Sequence, residues 1–220
     1  MTDLSNRRYL RVRELAITQR IARLLSRQRI TPNQISLASI GFAVLGSVCL
    51  LALPGQSGKM AWWLPLAAAV GIQGRLLCNL FDGLVAIEGG KKTAAGELFN
   101  DMPDRLSDAL LLVAAGYSVP APDWAPALGW CVALLAVSTA YVRTLAASLG
   151  APVNFAGPMA KQHRMALLTG ACLLTTLENL FGSGNYAMLL ALAAMAVGCV
   201  ATLYRRSKAA YDYLQNHANR

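Results

Sequence analysis

Residues 79–108 read NLFDGLVAIEGGKKTAAGELFNDMPDRLSD and hold six of the eleven acidic residues, with a long apolar run on either side. Carboxylates at the edge of hydrocarbon are costly unless something compensates them, so Asp82, Glu88, Glu97, Asp101, Asp104 and Asp108 point to function. A divalent cation is the compensator their spacing suits. A helix through Asp82 puts Asn79 and Asp82 on one face at i and i+3, and the next helix lines up Asn100, Asp104 and Asp108 at i, i+4 and i+8. Two oxygen-bearing faces then meet across a helical hairpin. Gly83 and Gly96 would let the backbones approach, and Gly89-Gly90 would turn the chain between them. Oxygen ligands with no His or Cys among them suit one or two Mg2+ or Mn2+ ions better than zinc.

These residues resemble the CDP-alcohol phosphotransferase family, whose pattern is D-x-x-D-G-x-x-A-R-x8-G-x3-D-x3-D. Here every spacing is kept, and Asp82, Gly83, Ala86, Gly96 and Asp104 match by type. Three positions depart: Asn79 and Asn100 replace the first and third aspartates, and Ile87 replaces the arginine. The resemblance implies transfer of a phosphatidyl group from CDP-diacylglycerol, or of a substituted phosphate from another CDP-alcohol, to a small alcohol acceptor. CMP is released and the product is a phospholipid. It implies Asp82 as principal metal ligand with Asn79, Asn100, Asp104 and Asp101 as further ligands, and Asp104 as general base or second ligand. Gly83, Ala86 and Gly96 would lie at the nucleotide.

The family also commonly has T-P-N at the place of Thr31-Pro32-Asn33, which puts Asn33 beside the cytidine. Its Y-x-R matches Tyr141-Val142-Arg143, and its basic cluster near the acceptor pocket matches Lys161 to Arg164. Arg143, Lys161 and Arg164 would thus meet phosphate or acceptor, and a homodimer is implied. Asparagine coordinates through its carbonyl oxygen but brings no charge, so metal affinity should fall. Asp101, Glu97 or Asp108 could restore charge. Alternatively, Glu97 favours its helix N-terminus, Asp101 is solvated, and Asp108 pairs with Arg75, Arg105 or Arg143. Two other functions stay open: a catalytically weak relative that binds CDP-lipid or nucleotide as a scaffold, and a small transporter coupling the buried acid to Arg75.

The elements that must carry this chemistry are membrane helices. Of the 220 residues, 55% are hydrophobic and 14% charged, too apolar for an ordinary soluble domain. The net charge of +9 does not signal nucleic acid, because eight arginines precede the first apolar run and Arg205, Arg206 and Lys208 follow the last. Such flanks are the positive-inside pattern. The expected fold is all-α: a single membrane domain over residues 1–220, with an amphipathic interfacial helix (1–30), a six-helix transmembrane bundle (31–205) and a cytoplasmic tail (206–220). Thr31 and Pro32 suit the N-cap and first position of the first span. Arg75, within the second span, demands a partner, preferably one of the acids and otherwise a phosphate.

Six spans put both termini and the acidic hairpin on the cytoplasmic side of the inner (plasma) membrane, leaving only Lys59 of the twenty Lys and Arg residues in an outer loop. The five cysteines are scattered through apolar stretches and read as packing residues.

Overall fold

The computed structural model describes residues 16–28, 30–88, 96–182 and 186–217, with the side chains of Ala16, Ile17, Ile87, Glu88, Glu97 and Asn100 left out of the description. Among the described residues the chain is all-helical: α1 (Ala16–Arg27), α2 (Pro32–Leu51), α3 (Lys59–Glu88), α4 (Gly96–Tyr117), α5 (Ala125–Ser148), α6 (Lys161–Phe181) and α7 (Ala187–His217). The expected Gly89-Gly90 turn and the first half of the N-terminal helix lie outside those residues.

Local chemistry explains the elements. In α1, Thr18 and Ala22 are buried one turn apart while Arg20, Arg23 and Arg27 are exposed, the split of an amphipathic helix. Its inner face packs on α3. At the start of α2 the Thr31 hydroxyl accepts from the Gln34 N–H, and the Gln34 side chain accepts from the Thr31 N–H, with Pro32 at the first turn. This reciprocal cap satisfies two backbone donors that a helix start leaves open.

α2 is the central strut, packed against both α3 and α4. It buries Ser36, Ser39, Ala43, Gly46, Ser47 and Leu50, a ridge of mostly small residues at three- and four-residue spacing. Small side chains let backbones close up where lipid offers no hydrophobic drive to associate. A Cβ on Gly71 of α3 would stand 2.9 Å from the Phe42 carbonyl of α2, and one on Gly116 of α4 would stand 2.8 Å from the Gly129 Cα of α5. The intimate backbone crossings are therefore α2–α3 and α4–α5. The expected close hairpin between α3 and α4 is corrected: those two helices meet chiefly through side chains, with α2 packed along both.

Among the described residues, four helices are long and apolar enough to cross a membrane: α2, residues 59–86 of α3, α5 and α7. Their outward residues are apolar, among them Leu37, Val70, Leu134, Leu190 and Val197, as lipid contact requires. α4 and α6 are of similar length but carry the charged residues of the site. α7 continues to His217, and Arg206 within it is buried. Arg206 donates to the carbonyls of Thr139 (2.8 Å), Ala156 (3.0 Å) and Phe155 (3.4 Å), which ties the α5–α6 connection to α7. Gly157, at φ 129°, sits against Thr202, whose hydroxyl accepts from the Met159 N–H. The pinned connection sets where α6 begins. Among the cysteines, Cys131 is exposed, whereas Cys49, Cys172 and Cys199 are buried; none is in a disulfide.

Candidate functional site

α3 delivers Arg75, Asn79 and Asp82 at three- and four-residue spacing, so the three share a face. α4 delivers Asp101, Asp104 and Asp108, and α6 brings Lys161 and Arg164 from its first turn. Asp82, Asp104 and Asp108 are each no more than 7% exposed, and Arg75 is fully buried. The Arg75 guanidinium lies 2.6 Å from Asp108 Oδ1 and 3.3 Å from Asp104 Oδ1, and donates to the Asp104 carbonyl at 3.2 Å. The expectation that Arg75 pairs with an acid is met twice over.

Asp104 is the most heavily engaged carboxylate. Its Oδ1 accepts from Asn79 Nδ2 at 2.6 Å as well as from Arg75, and its Oδ2 pairs with the Lys161 ammonium. Asp108 is bracketed by Arg75 and by Arg164 Nη2, the latter at 2.9 Å. Arg164 also donates to the Met159 carbonyl, joining this network to the pinned connection. Opposite charges held this close offset the cost of taking each out of water.

Asp82 differs. Its Oδ2 accepts a 2.6 Å hydrogen bond from the Ser36 hydroxyl of α2, while its Oδ1 is buried with no hydrogen-bond partner. Sequence reasoning missed Ser36; its spacing of three from Asn33, which puts both on one face of α2, is the signal that could have found it. Asp82 is therefore met by a neutral hydroxyl where Asp104 and Asp108 are met by cations.

The remaining candidates lie around this core. Asp101 is half-exposed and is held by Arg105 at 2.5 Å and by Arg143 at 3.2 Å, with Arg143 also lying over the Phe155 ring. Asn33 is half-buried in the first turn of α2; Gly83 and Ala86 are half-buried near the end of α3, and Gly96 begins α4. Asn100 is on α4, but its side chain, like that of Ile87, lies outside the described residues. His163 Nδ1 lies 2.8 Å from the Pro158 carbonyl oxygen. A mostly apolar groove of about 370 Å³, lined by Ile30, Ile35, Phe42, Leu77 and Phe81 among others, runs along α2 and α3, and neither Ser36 nor Asp82 lines it.

No protein-family model matches the chain. A curated relative, phosphatidylinositol phosphate synthase of Corynebacterium glutamicum, is 28% identical over 196 residues, covering 86% of this chain and 82% of its own length. Crystal structures of the phosphatidylinositol phosphate synthase of Mycobacterium tuberculosis share the fold, each with a TM-score of 0.73 and 19% identity. One has CDP-DAG bound and covers 90% of this chain and 94% of that one; the other, in complex with manganese and citrate, covers 88% of each. The resemblance to the CDP-alcohol phosphotransferases is borne out by these relatives. Within that class, the relatives with which this chain compares are phosphatidylinositol phosphate synthases.

Proposed function

We propose that this protein is a metal-dependent CDP-alcohol phosphotransferase that moves a phosphatidyl group from CDP-diacylglycerol, or a related CDP-alcohol, to a small alcohol in phospholipid biosynthesis, releasing CMP. The observation that carries the reading is Asp82: a buried carboxylate at the motif's spacing, oriented by Ser36, with one oxygen left without a hydrogen-bond partner. The named activity of the relatives, and the CDP-DAG and manganese bound to one of them, support it.

An Mg2+ or Mn2+ ion fits this donor set. The described residues hold no group of three His, Cys, Asp or Glu side chains that would cage a metal by themselves. Magnesium in phosphoryl-transfer sites, however, is held by one or two carboxylates plus substrate phosphates and water. Asp82 would be the principal ligand, with Asn79, Asn100, Asp104 and Asp101 as the further oxygen donors. When bound, the ion would neutralise the diphosphate and the charge developing on departing CMP.

The chain's own residues would do the rest. Asp104 accepts the proton of the acceptor hydroxyl as its oxygen bonds to the transferred phosphorus and the P–O bond to CMP breaks. Lys161 and Arg164, which pair with Asp104 and Asp108 in the free protein, would turn part of their charge toward incoming phosphate. Arg143 would assist from the edge, Asn33 would contact the cytidine side, and Gly83, Ala86 and Gly96 would leave room for the nucleotide. The reading takes residues 1–220 as one membrane domain with six spans, α4 and α6 included, an interfacial N-terminal helix, both termini and the site cytoplasmic at the inner membrane, and homodimeric assembly.

The engagement of both Asp104 oxygens by Arg75, Asn79 and Lys161 favours a second reading, a catalytically weak relative that retains CDP-lipid as a binding partner. One experiment separates the two. Purified protein is given labelled CDP-diacylglycerol, Mg2+ or Mn2+ and a panel of alcohols, with CMP followed by chromatography and lipid products by mass spectrometry. Metal-dependent CMP release with a matching lipid product is expected. Retention of CDP-lipid without turnover across the panel would give the second reading instead.

A further inference from the structure

We infer that this site is built for a single divalent cation, held at Asp82, and that Arg75 together with Asn79 replaces a second. The inference rests on the reading of the chain as a metal-dependent transferase. Its first ground is charge. The four-aspartate pattern brings four negative charges; this chain keeps Asp82 and Asp104 and has asparagine at 79 and 100. The two charges lost equal the charge of one dication. A buried site must approach neutrality, because uncompensated charge there is strongly unfavourable.

The second ground is geometry. Asn79 Nδ2 stands 2.6 Å from Asp104 Oδ1 and donates to it. With aspartate at 79, two carboxylate oxygens would face each other at that distance, and an ion between them would be needed. The amide closes the gap with a hydrogen bond. Arg75, fully buried, then puts its fixed positive charge against both Asp104 and Asp108, while Lys161 takes the other Asp104 oxygen and Arg164 the other Asp108 oxygen. Arginine suits this place because it stays charged when buried and carries several donors in one plane. Each of these two carboxylates is thus answered by two cationic side chains. Among the described residues Asp82 is in no ion pair: it accepts from the Ser36 hydroxyl and keeps one oxygen without a hydrogen-bond partner. The charge demand left for an external cation sits there.

Metal stoichiometry tests this separately from turnover. Purified protein in detergent is titrated with Mn2+, and free ion is followed by electron paramagnetic resonance. The wild-type chain is expected to bind one Mn2+, Asp82→Ala none, and the Asn79→Asp/Asn100→Asp double variant two. Arg75→Met is expected to add a second ion to the wild-type sequence, but it leaves two buried carboxylates short of counter-charge and can fail to fold. The double variant retains Arg75 and is checked for folding by circular dichroism and gel filtration. Two ions on the wild-type chain, none on it, one that survives Asp82→Ala, or a folded double variant that still binds one would each overturn the inference. Absence of CMP release with one Mn2+ bound would count against the transferase reading and leave the stoichiometry standing.

Discussion

At the scale of residues, the site separates carboxylates held by cationic side chains from one, Asp82, that among the described residues is in no ion pair. Asp108 is held between Arg75 and Arg164 and is nearly inaccessible. Removing one partner of such a buried pair costs about 3–5 kcal/mol, because the charges left behind have no water to turn to. Asp108→Ala should therefore lower the thermal midpoint of the detergent-solubilised protein sharply, as read by intrinsic fluorescence. Asp82 has no such duty to a cation, and Asp82→Ala should abolish CMP release with a much smaller change in that midpoint. A midpoint drop matching that of Asp108→Ala would recast Asp82 as structural. Ser36→Ala removes the side-chain hydrogen bond that α2 gives Asp82; it should lower kcat by about tenfold. Ser36→Thr, which keeps the hydroxyl, should restore most of the loss. Equal kcat in Ser36→Ala and wild type would remove Ser36 from any positioning role.

At the scale of elements, the acids of α3 and α4 come together because α2 packs against both helices and α6 inserts its basic first turn beside them. The α4–α5 crossing at Gly116 and Gly129 has no room for a side chain, the added Cβ meeting backbone on either helix. Gly129→Leu would force those helices apart, an overpacking cost of about 1–3 kcal/mol. A lowered thermal midpoint is the expected result, and an unchanged one would show that the crossing can relax. The α5–α6 connection depends on Arg206, which gathers three backbone carbonyls. Arg206→Met should leave that connection open to limited proteolysis between residues 150 and 160, with a fall in activity because the start of α6 carries Lys161 and Arg164. Resistance to cleavage equal to wild type would refute that role.

At the scale of the whole molecule, the proposed six-span topology assigns each connection to a side of the membrane. Single cysteines introduced at Gln56 and Asp123, in a background free of the native five, should react in intact cells with a thiol reagent that does not cross membranes. Cysteines at Asn154 and Gln28 should react only after permeabilisation. Reaction of Asn154→Cys in intact cells would invert the orientation and place the site away from cytoplasmic nucleotide.

The sequence by itself determined the helical class, the capped start at Thr31 and Pro32, and the acid-bearing segments that follow α2. Those depend on local chemistry: apolar runs of membrane length, helical periodicity and a motif kept in register. It also foretold that Arg75 must find an acid, because an unpaired guanidinium in hydrocarbon is so unfavourable. It could not choose among the acids, and it misjudged where backbones meet, since glycine marks a possible close approach without naming the opposing helix. Only the tertiary structure decided that α2 packs against both acidic helices, that Asn79 serves as a donor to Asp104, and that Ser36 faces Asp82 from 46 positions away in the chain. Those are pairings across helices, fixed by how small-residue ridges nest, and no spacing along a single chain encodes which ridge meets which.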